Sequence, residues 1–308
     1  MSLTRRSLLA SGMAGAACLA GSGFLSAPAW AMTELEGGGR RIDIVSDGSL
    51  MLPLSFLYPD FEPGRHGKVL AEHGLPGDML EPDCNLTLVR DGERIVLFDV
   101  GSGPNFMPGS GKVLEGLDQL GVDPDEITHV VFTHAHPDHL WGVMDEFDEP
   151  LFSNAEYRIS RPEWEYWTDP GTVETIAEAR KGHAAGARRL LTSLEQQMRL
   201  FDFGQEILPG IAAIDTSGHT PGHTAFEVRL GDESVLLIGD CVPNHHIAFA
   251  HPDWAFGGDQ DREAGGATRK VLLDRLVADR MRFIGFHLPH PGLGRAERMG
   301  GGYRFVAE

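Results

Sequence analysis

A dense group of metal-ligating side chains lies in the segment His134-Ala135-His136-Pro137-Asp138-His139. Imidazole nitrogens and carboxylate oxygens are ligands that Zn²⁺ accepts. Because side chains alternate along an extended chain, His134 and His136 are predicted to point to one side, with Asp138 and His139 turned toward a second position. Buried polar groups at a strand end would carry a large desolvation cost if nothing bound them. The segment therefore predicts a site for two neighbouring divalent cations.

Three further candidate ligands follow along the chain, each at or just past the end of a predicted strand. His219 lies in the loop Asp215-Thr216-Ser217-Gly218-His219, Asp240 follows Leu237-Ile238-Gly239, and His287 follows Ile284-Gly285-Phe286. His223 is close enough in sequence to orient His219 or simply to pack beside it. We expect these side chains to converge on the 134–139 segment.

The elements that must position these residues are read from apolar runs, helical spacing and turn signals. Strands are predicted at 41–45, 52–57, 85–90, 94–100, 127–133, 156–160, 211–215, 224–230, 234–238 and 282–286. Helices are predicted at 113–120, at 161–199 with an interruption at Pro170-Gly171, and at 269–276, whereas 59–82 is predicted to be a long loop. Two strand-rich halves of this kind predict an α/β fold, specifically a four-layer αββα sandwich.

The combined motif set resembles the metallo-β-lactamase superfamily over the whole mature chain, and Phe98-Asp99-Val100-Gly101 is similar to the family's upstream Asp-x-Gly element. The resemblance implies a hydrolase with two divalent metal ions, Zn²⁺ by preference, and a metal-bridging hydroxide as the nucleophile. It implies that His134, His136 and His219 hold one metal, that Asp138, His139 and His287 hold the other, that Asp240 bridges them, and that Asp99 fixes a ligand imidazole. A plain turn role for Asp99 is the alternative.

The C-terminal segments 287–294 and 302–306 resemble the methyl parathion hydrolase-like branch of that superfamily. That branch implies action on phosphotriesters, esters or lactones, and aromatic side chains at the entrance, here Phe106 and Trp167. Ordinary packing of these two aromatics is an equal alternative. After Asp240 the chain departs from the expected apolar run, and Asn244 or His245 is a candidate donor to the substrate, with loop polarity as the other interpretation.

Several functions stay open at this point. One alternative is a quorum-quenching N-acyl homoserine lactonase, although the Tyr that those lactonases place shortly after the bridging Asp is not found here. A β-lactamase, a mononuclear iron dioxygenase and a non-enzymatic metal-binding protein are the others. Nitrocefin turnover and metal analysis would discriminate among them.

Residues 1–31 are typical of a twin-arginine signal peptide, with Arg5-Arg6, a small-residue apolar stretch and an Ala-x-Ala end. They predict export by the twin-arginine machinery and a periplasmic or secreted mature domain, residues 32–308.

The formal charge of −19 disfavours a nucleic-acid partner. A small-molecule substrate is expected, and a homodimer is left open. In the mature chain Cys84 and Cys241 are expected to be buried free thiols rather than a disulfide.

Overall fold

The computed structural model describes residues 31–308. The predicted signal peptide, apart from Ala31, lies outside the described residues. Within residues 31–308 no helix has both the length and the apolar character needed to cross a membrane.

The described strands are short to medium in length and are separated by turns and helices. They are β1 (Ala31–Gly37), β2 (Arg40–Ser49), β3 (Leu52–Pro53), β4 (Met79–Leu80), β5 (Asp83–Asp91), β6 (Arg94–Phe98), β7 (His129–Val131), β8 (Glu156–Ser160), β9 (Met198–Phe201), β10 (Glu206–Leu208), β11 (Ile211–Asp215), β12 (Thr224–Leu230), β13 (Glu233–Leu237), β14 (Arg282–Ile284), β15 (Leu293–Met299) and β16 (Gly302–Ala307).

The described helices lie on the outer faces of the sheets or in connections. They are α1 (Leu54–Leu57), α2 (His66–Glu72), α3 (Val113–Gln119), α4 (Pro137–Leu140), α5 (Arg161–Thr168), α6 (Pro170–Thr175), α7 (Lys181–Ser193), α8 (Ile247–Ala250) and α9 (Arg262–Asp279).

Two seven-stranded sheets form the centre of the molecule, with strand orders β1-β2-β5-β6-β7-β8-β9 and β10-β11-β12-β13-β14-β15-β16. One buried cluster joins inward-facing residues of both sheets, among them Ile44, Phe98, Phe226 and Ile284. A second cluster packs α3 and α7 on the first sheet, and a third packs α9 on the second. The predicted αββα sandwich is confirmed, because each sheet buries one face against the other sheet and one against helices.

The hairpin predicted around Asp91-Gly92 is confirmed, since β5 pairs antiparallel with β6 and Asp91 lies opposite Arg94.

The strand predicted at 52–57 is wrong beyond Pro53, where the chain turns into α1. The loop predicted at 59–82 is also wrong, since it contains α2 and β4; Val69 and Leu70 of α2 are buried in a small satellite cluster. The pair β15–β16 was not predicted, although it closes one edge of the second sheet. Glycine and proline near these segments obscured their apolar spacing.

Cys84 and Cys241 are both buried and free, as expected.

Candidate metal centre

All seven candidate ligands lie at one edge of the sandwich. In the first sheet β6, β7, β8 and β9 run parallel, so the segments following β6 and β7 emerge at the same edge. In the second sheet β13 and β14 are also parallel, which brings the segments carrying Asp240 and His287 out together. The loop between β11 and β12 adds His219. The carboxyl ends of parallel strands thus place residues far apart in sequence beside one another.

Three imidazoles form the first group, His134, His136 and His219. Nε2 of His134 lies 3.0 Å from Nδ1 of His136, and Nε2 of His219 lies 2.9 Å from that same Nδ1. Burial lowers the pKa values of His134 and His136 well below the ordinary value, and neighbouring imidazoles act in the same direction. These two rings therefore offer free lone pairs at neutral pH.

The second group comprises Asp138, His139, Asp240 and His287, all buried. Nε2 of His287 lies 3.1 Å from Oδ2 of Asp138. Nε2 of His139 lies 3.5 Å from the same oxygen. Two imidazoles and two carboxylates in this space form a mixed nitrogen and oxygen donor set of the kind that divalent transition metals accept.

Asp240 contacts both groups. Its Oδ1 lies 3.2 Å from Nε2 of His139, while its Oδ2 lies 3.2 Å from Nε2 of His287 and 3.4 Å from Nε2 of His219. The seven candidate ligands include two carboxylates. Within the described chain, only that of Asp240 lies within 3.5 Å of histidines from both groups. This position is what a bridging ligand requires.

Several of these atoms lie close together but form no hydrogen bond of good geometry within the described part of the chain. Asp138 Oδ2, His139 Nε2 and Asp240 Oδ1 are buried and lack such a bond, although they lie 3.1–3.5 Å from one another or from Nε2 of His287. Such atoms are costly to bury unless something binds them. Since they converge with the right chemistry, the residues present fit a pair of divalent cations.

The carboxylates also change the proton affinity of the second group. Burial lowers the pKa of His139, but Asp240, Asp138 and Asp99 outweigh it and raise the pKa to about 10. Burial also lowers the pKa of His287, but Asp240 and Asp138 outweigh burial and raise that pKa well above its ordinary value. Without a cation, a proton on each ring balances the carboxylates, and a bound cation would take over that role.

Three of the imidazoles are oriented through Nδ1, which leaves Nε2 directed at the centre. Nδ1 of His139 lies 2.8 Å from Oδ2 of Asp99. Nδ1 of His287 lies 2.8 Å from the carbonyl oxygen of Asp83, and Nδ1 of His219 lies 3.0 Å from Oδ1 of Asp259. Acceptors of this kind fix both ring orientation and tautomer. Asp99 therefore contacts the imidazole of a candidate ligand, and a role in the turn alone does not account for this contact.

Asp259 was not predicted from the sequence. Its second oxygen accepts a 2.7 Å hydrogen bond from Nη2 of the buried Arg269, whose other nitrogens donate to the carbonyl oxygens of Cys241 and Pro252. Asp259 lies in a Gly-rich loop without a ligand motif, and the contact depends entirely on α9 packing under that loop.

Glu163 is a second residue that sequence reasoning missed. Its buried carboxylate accepts hydrogen bonds from Ala135 N (2.9 Å), Trp167 Nε1 (2.6 Å), Thr220 Oγ1 (2.7 Å) and Gly222 N (2.8 Å). The pattern Ser160-x-x-Glu163 looks like a helix capping box, which hid this role. In the structure Ser160 does cap α5, but Glu163 turns toward the loops that carry His136 and His219.

His223 forms a hydrogen bond with the backbone of Asp240 and not with His219. Its Nε2 accepts a 3.0 Å hydrogen bond from the backbone N–H of Asp240, and its Nδ1 lies 2.8 Å from Oγ1 of Thr216. Its ring also packs beside that of His219, with centroids 5.7 Å apart. His223 thus supports the turn that presents Asp240.

A cavity of about 520 Å³ opens onto the centre, and His136, Asp138, His219, Asp240 and His287 form part of its wall. Of the four predicted pocket residues, Phe106, Asn244 and His245 line it. Trp167 does not. It is buried, donates to Glu163 and packs its ring 5.9 Å from that of His136, so its prediction as an entrance residue is wrong.

Asn244 lines the cavity and also forms two hydrogen bonds within the protein. Its Nδ2 donates to the hydroxyl of Tyr58 at 2.8 Å, and its Oδ1 accepts from Ala248 N at 2.9 Å. The amide is therefore used to hold α8 in place. Nδ2 carries a second N–H beyond the one donated to Tyr58, so the interpretation of Asn244 as a substrate donor stays a prediction.

Comparison with known proteins gives a consistent result. The family model described as the metallo-beta-lactamase superfamily matches residues 81–280. An uncharacterized protein of Mycobacterium tuberculosis is 27% identical over 241 residues, which cover 75% of this chain and 94% of that protein. A lactamase-like protein of Aspergillus niger is 30% identical over 174 residues, 56% of this chain and 43% of that protein.

Two solved structures are similar over nearly the whole described chain. AidC, a dizinc quorum-quenching lactonase in complex with a product, has a TM-score of 0.85 at 25% identity and covers 91% of this chain and 99% of its own. The hydrolase AbOPH of the beta lactamase superfamily has a TM-score of 0.84 at 25% identity, with 92% and 98% covered.

Proposed function

This chain belongs to the metallo-beta-lactamase superfamily of metal-dependent hydrolases, and we propose that it cleaves a carboxylic ester or lactone that carries an apolar group. The observation that carries the proposal is the position of Asp240, whose two oxygens lie within 3.4 Å of histidines from both groups at the wall of a largely apolar cavity.

We assign His134, His136 and His219 to one cation, Asp138, His139 and His287 to the other, and Asp240 to both. Zn²⁺ is the proposed metal, since the donor set is imidazole-rich and the similar lactonase is a dizinc protein. When bound, such a pair of cations lowers the pKa of a shared water and polarises the substrate carbonyl.

The protein's own part in the reaction is orientation and proton handling. Asp99 and Asp259 hold the rings of His139 and His219, and the Asp83 carbonyl holds His287. Asp138 is a buried carboxylate that lines the cavity. We assign it to accept a proton from the attacking water and to pass that proton to the leaving oxygen. His223 and the Asp240 backbone keep the bridging carboxylate in place.

The shape and lining of the cavity support an apolar substrate group. A volume of about 520 Å³ lies within the range typical of small-molecule sites. Much of the wall away from the metal ligands is aliphatic or aromatic, including Leu50, Leu52, Leu57, Leu75, Leu80 and Phe106. The similar lactonase was solved in complex with its product, which further supports a lactone substrate.

Phosphotriesters are the substrates to test for the methyl parathion hydrolase-like branch. That relationship rests on the resemblance of segments 287–294 and 302–306, and on the aromatic Phe106 at the cavity wall. β-Lactams are a further class to test because of the superfamily.

The deciding experiment is a substrate panel on the purified, metal-replete protein: aryl esters, acyl lactones with short and long chains, phosphotriesters and nitrocefin. We expect ester or lactone turnover that rises with the apolar chain. A β-lactam or phosphotriester as the only substrate turned over would overturn the assignment. Metal analysis of the same sample, with two zinc ions per chain expected, separates this function from a mononuclear iron enzyme.

We further propose that residues 1–31 direct twin-arginine export and that the mature enzyme is periplasmic or secreted. The support is the Arg5-Arg6 pair ahead of a Gly- and Ala-rich stretch. Sequencing the N-terminus of the exported protein, with Arg5→Lys/Arg6→Lys as the blocked variant, tests this.

A further inference from the structure

A third group of imidazoles lies outside the centre described above, where the end of α2 meets the start of α8. His73 follows α2, and His245 and His246 directly precede α8. We call these residues the three-histidine cluster. Its ring centroids are 5.4 Å apart for His73 and His245, 5.1 Å for His245 and His246, and 6.1 Å for His73 and His246.

Two of these spacings, 5.1 and 5.4 Å, are close to those of imidazoles that share one ion, and the third, 6.1 Å, is wider. With a metal–nitrogen distance of about 2.0–2.1 Å and tetrahedral geometry, ring centroids lie about 5 Å apart. In the group of His134, His136 and His219 the centroids are 4.6–4.8 Å apart. The three-histidine cluster is somewhat more open, and its nitrogens do not yet all lie within 4.8 Å of one another. His73 is exposed, so its ring is the one that can rotate to close the set.

His246 gives an independent indication that the cluster has a ligand. It is 4% exposed, yet its buried Nδ1 has no hydrogen-bond partner within residues 31–308. Burial, with help from His245 and His73, lowers the pKa of His246 to about 3, and burial lowers that of His245 to about 4. Both rings are neutral at pH 7 and hold a lone pair that a cation can take without displacing a proton.

We propose that His73, His245 and His246 bind one divalent transition-metal ion of the Zn²⁺, Ni²⁺ or Cu²⁺ type, in addition to the ions of the main centre. Imidazole is a favoured ligand of these ions, and a three-nitrogen set leaves a coordination position for water. The net charge of −19 attracts cations to the chain. His245, His246 and Leu75 line the cavity, so an ion here would fasten α2 to α8 along one wall of the substrate site.

Titration of the holoenzyme with Zn²⁺, followed by calorimetry, tests the proposal. The protein is first loaded at the main centre and freed of loosely held metal. We expect a further binding event of one ion per chain, weakened at least about ten-fold in His73→Ala, which removes an exposed side chain and should fold normally. In protein labelled with ¹⁵N-histidine, the ring nitrogens of His245 and His246 should shift over the same range of Zn²⁺.

His251→Ala is the matched control, since it removes a partly exposed histidine that stacks on Trp254 rather than joining the cluster. It should keep the additional event. The proposal is overturned if wild-type holoenzyme binds no further ion, or if the event is equally strong in His73→Ala, or equally weakened in His251→Ala. Because the readout is binding and ring-nitrogen shifts, the result is independent of which substrate the enzyme cleaves.

Discussion

The carboxylate of Glu163 accepts a 2.9 Å hydrogen bond from the backbone N–H of Ala135, the residue between His134 and His136. The same carboxylate accepts from Thr220 Oγ1 and Gly222 N in the loop that carries His219. The approach is so close that a Cβ on Gly222 would lie 2.2 Å from the backbone nitrogen of Glu163. One buried carboxyl group, whose pKa is raised by burial, thus sets the separation of the two loops that supply the first imidazole group.

Replacing Glu163 tests this arrangement. In Glu163→Gln the amide nitrogen must face two former donors. The Thr220 hydroxyl can rotate to accept, but the Gly222 N–H cannot, which should cost about 1–3 kcal/mol of unfolding free energy. We expect metal affinity to fall roughly 10- to 100-fold, measured by chelator competition. Glu165→Gln changes an exposed neighbour on α5 and should behave as wild type; wild-type metal affinity in Glu163→Gln would contradict the role.

His136→Ala removes the imidazole whose Nδ1 lies within 3.0 Å of both His134 and His219. We expect loss of bound metal and a fall in kcat/KM of roughly a hundred-fold or more, about 2.7 kcal/mol of transition-state stabilisation. Elemental analysis and ester or lactone turnover measure both effects. His183→Ala changes a cavity histidine outside the two groups and should keep its metal. Full turnover in His136→Ala would refute the centre.

Asp259 joins His219 to the buried Arg269. Asp259→Asn should leave that guanidinium without its counter-charge and destabilise the fold by about 3–5 kcal/mol. It should also weaken metal binding by roughly 10- to 100-fold. The double variant Asp259→Asn/Arg269→Met separates the two effects: thermal stability should partly recover while metal affinity stays low. Recovery of both together would show that Asp259 acts only on stability.

Metal uptake should release protons at pH 7. Carboxylates raise the pKa of His139 to about 10 and that of His287 well above its ordinary value, so both rings carry a proton in the metal-free protein. Each ring must lose this proton before its Nε2 can bind a cation. Loading one chain should therefore release about two protons. Calorimetry in buffers of different ionisation enthalpy counts them. Loading without proton release would show that these rings are not ligands.

Acid should destabilise the protein partly through His246. Its folded-state pKa is lowered to about 3 by burial, whereas in the unfolded chain it titrates near 6.5. The unfolded state therefore binds the extra proton below about pH 6.5, and stability falls as the pH drops, by up to about 1.4 kcal/mol per pH unit. His246→Gln should show a shallower slope between pH 6 and 4 in denaturant unfolding. Identical slopes would mean that His246 is solvated when folded.

Residue types and their local spacing were enough to predict the candidate donor set and the fold class. His134, His136, Asp138 and His139 lie within one short segment, and their chemistry depends on residue type and local spacing. The αββα sandwich likewise followed from the order of apolar strands and helices, because each sheet must bury both faces.

The contacts that orient the candidate ligands, and the side chains that line the cavity, could be identified only in the tertiary structure. Glu163 and Asp259 carry no metal-site motif, and they reach the centre only because α5 and α9 pack against loops distant in sequence. Trp167 and Phe106 are both aromatic, yet one is buried against Glu163 and the other lines the cavity. A side chain's type fixes which bonds it can form, but its direction and partners are fixed by long-range packing, which a one-dimensional pattern does not contain.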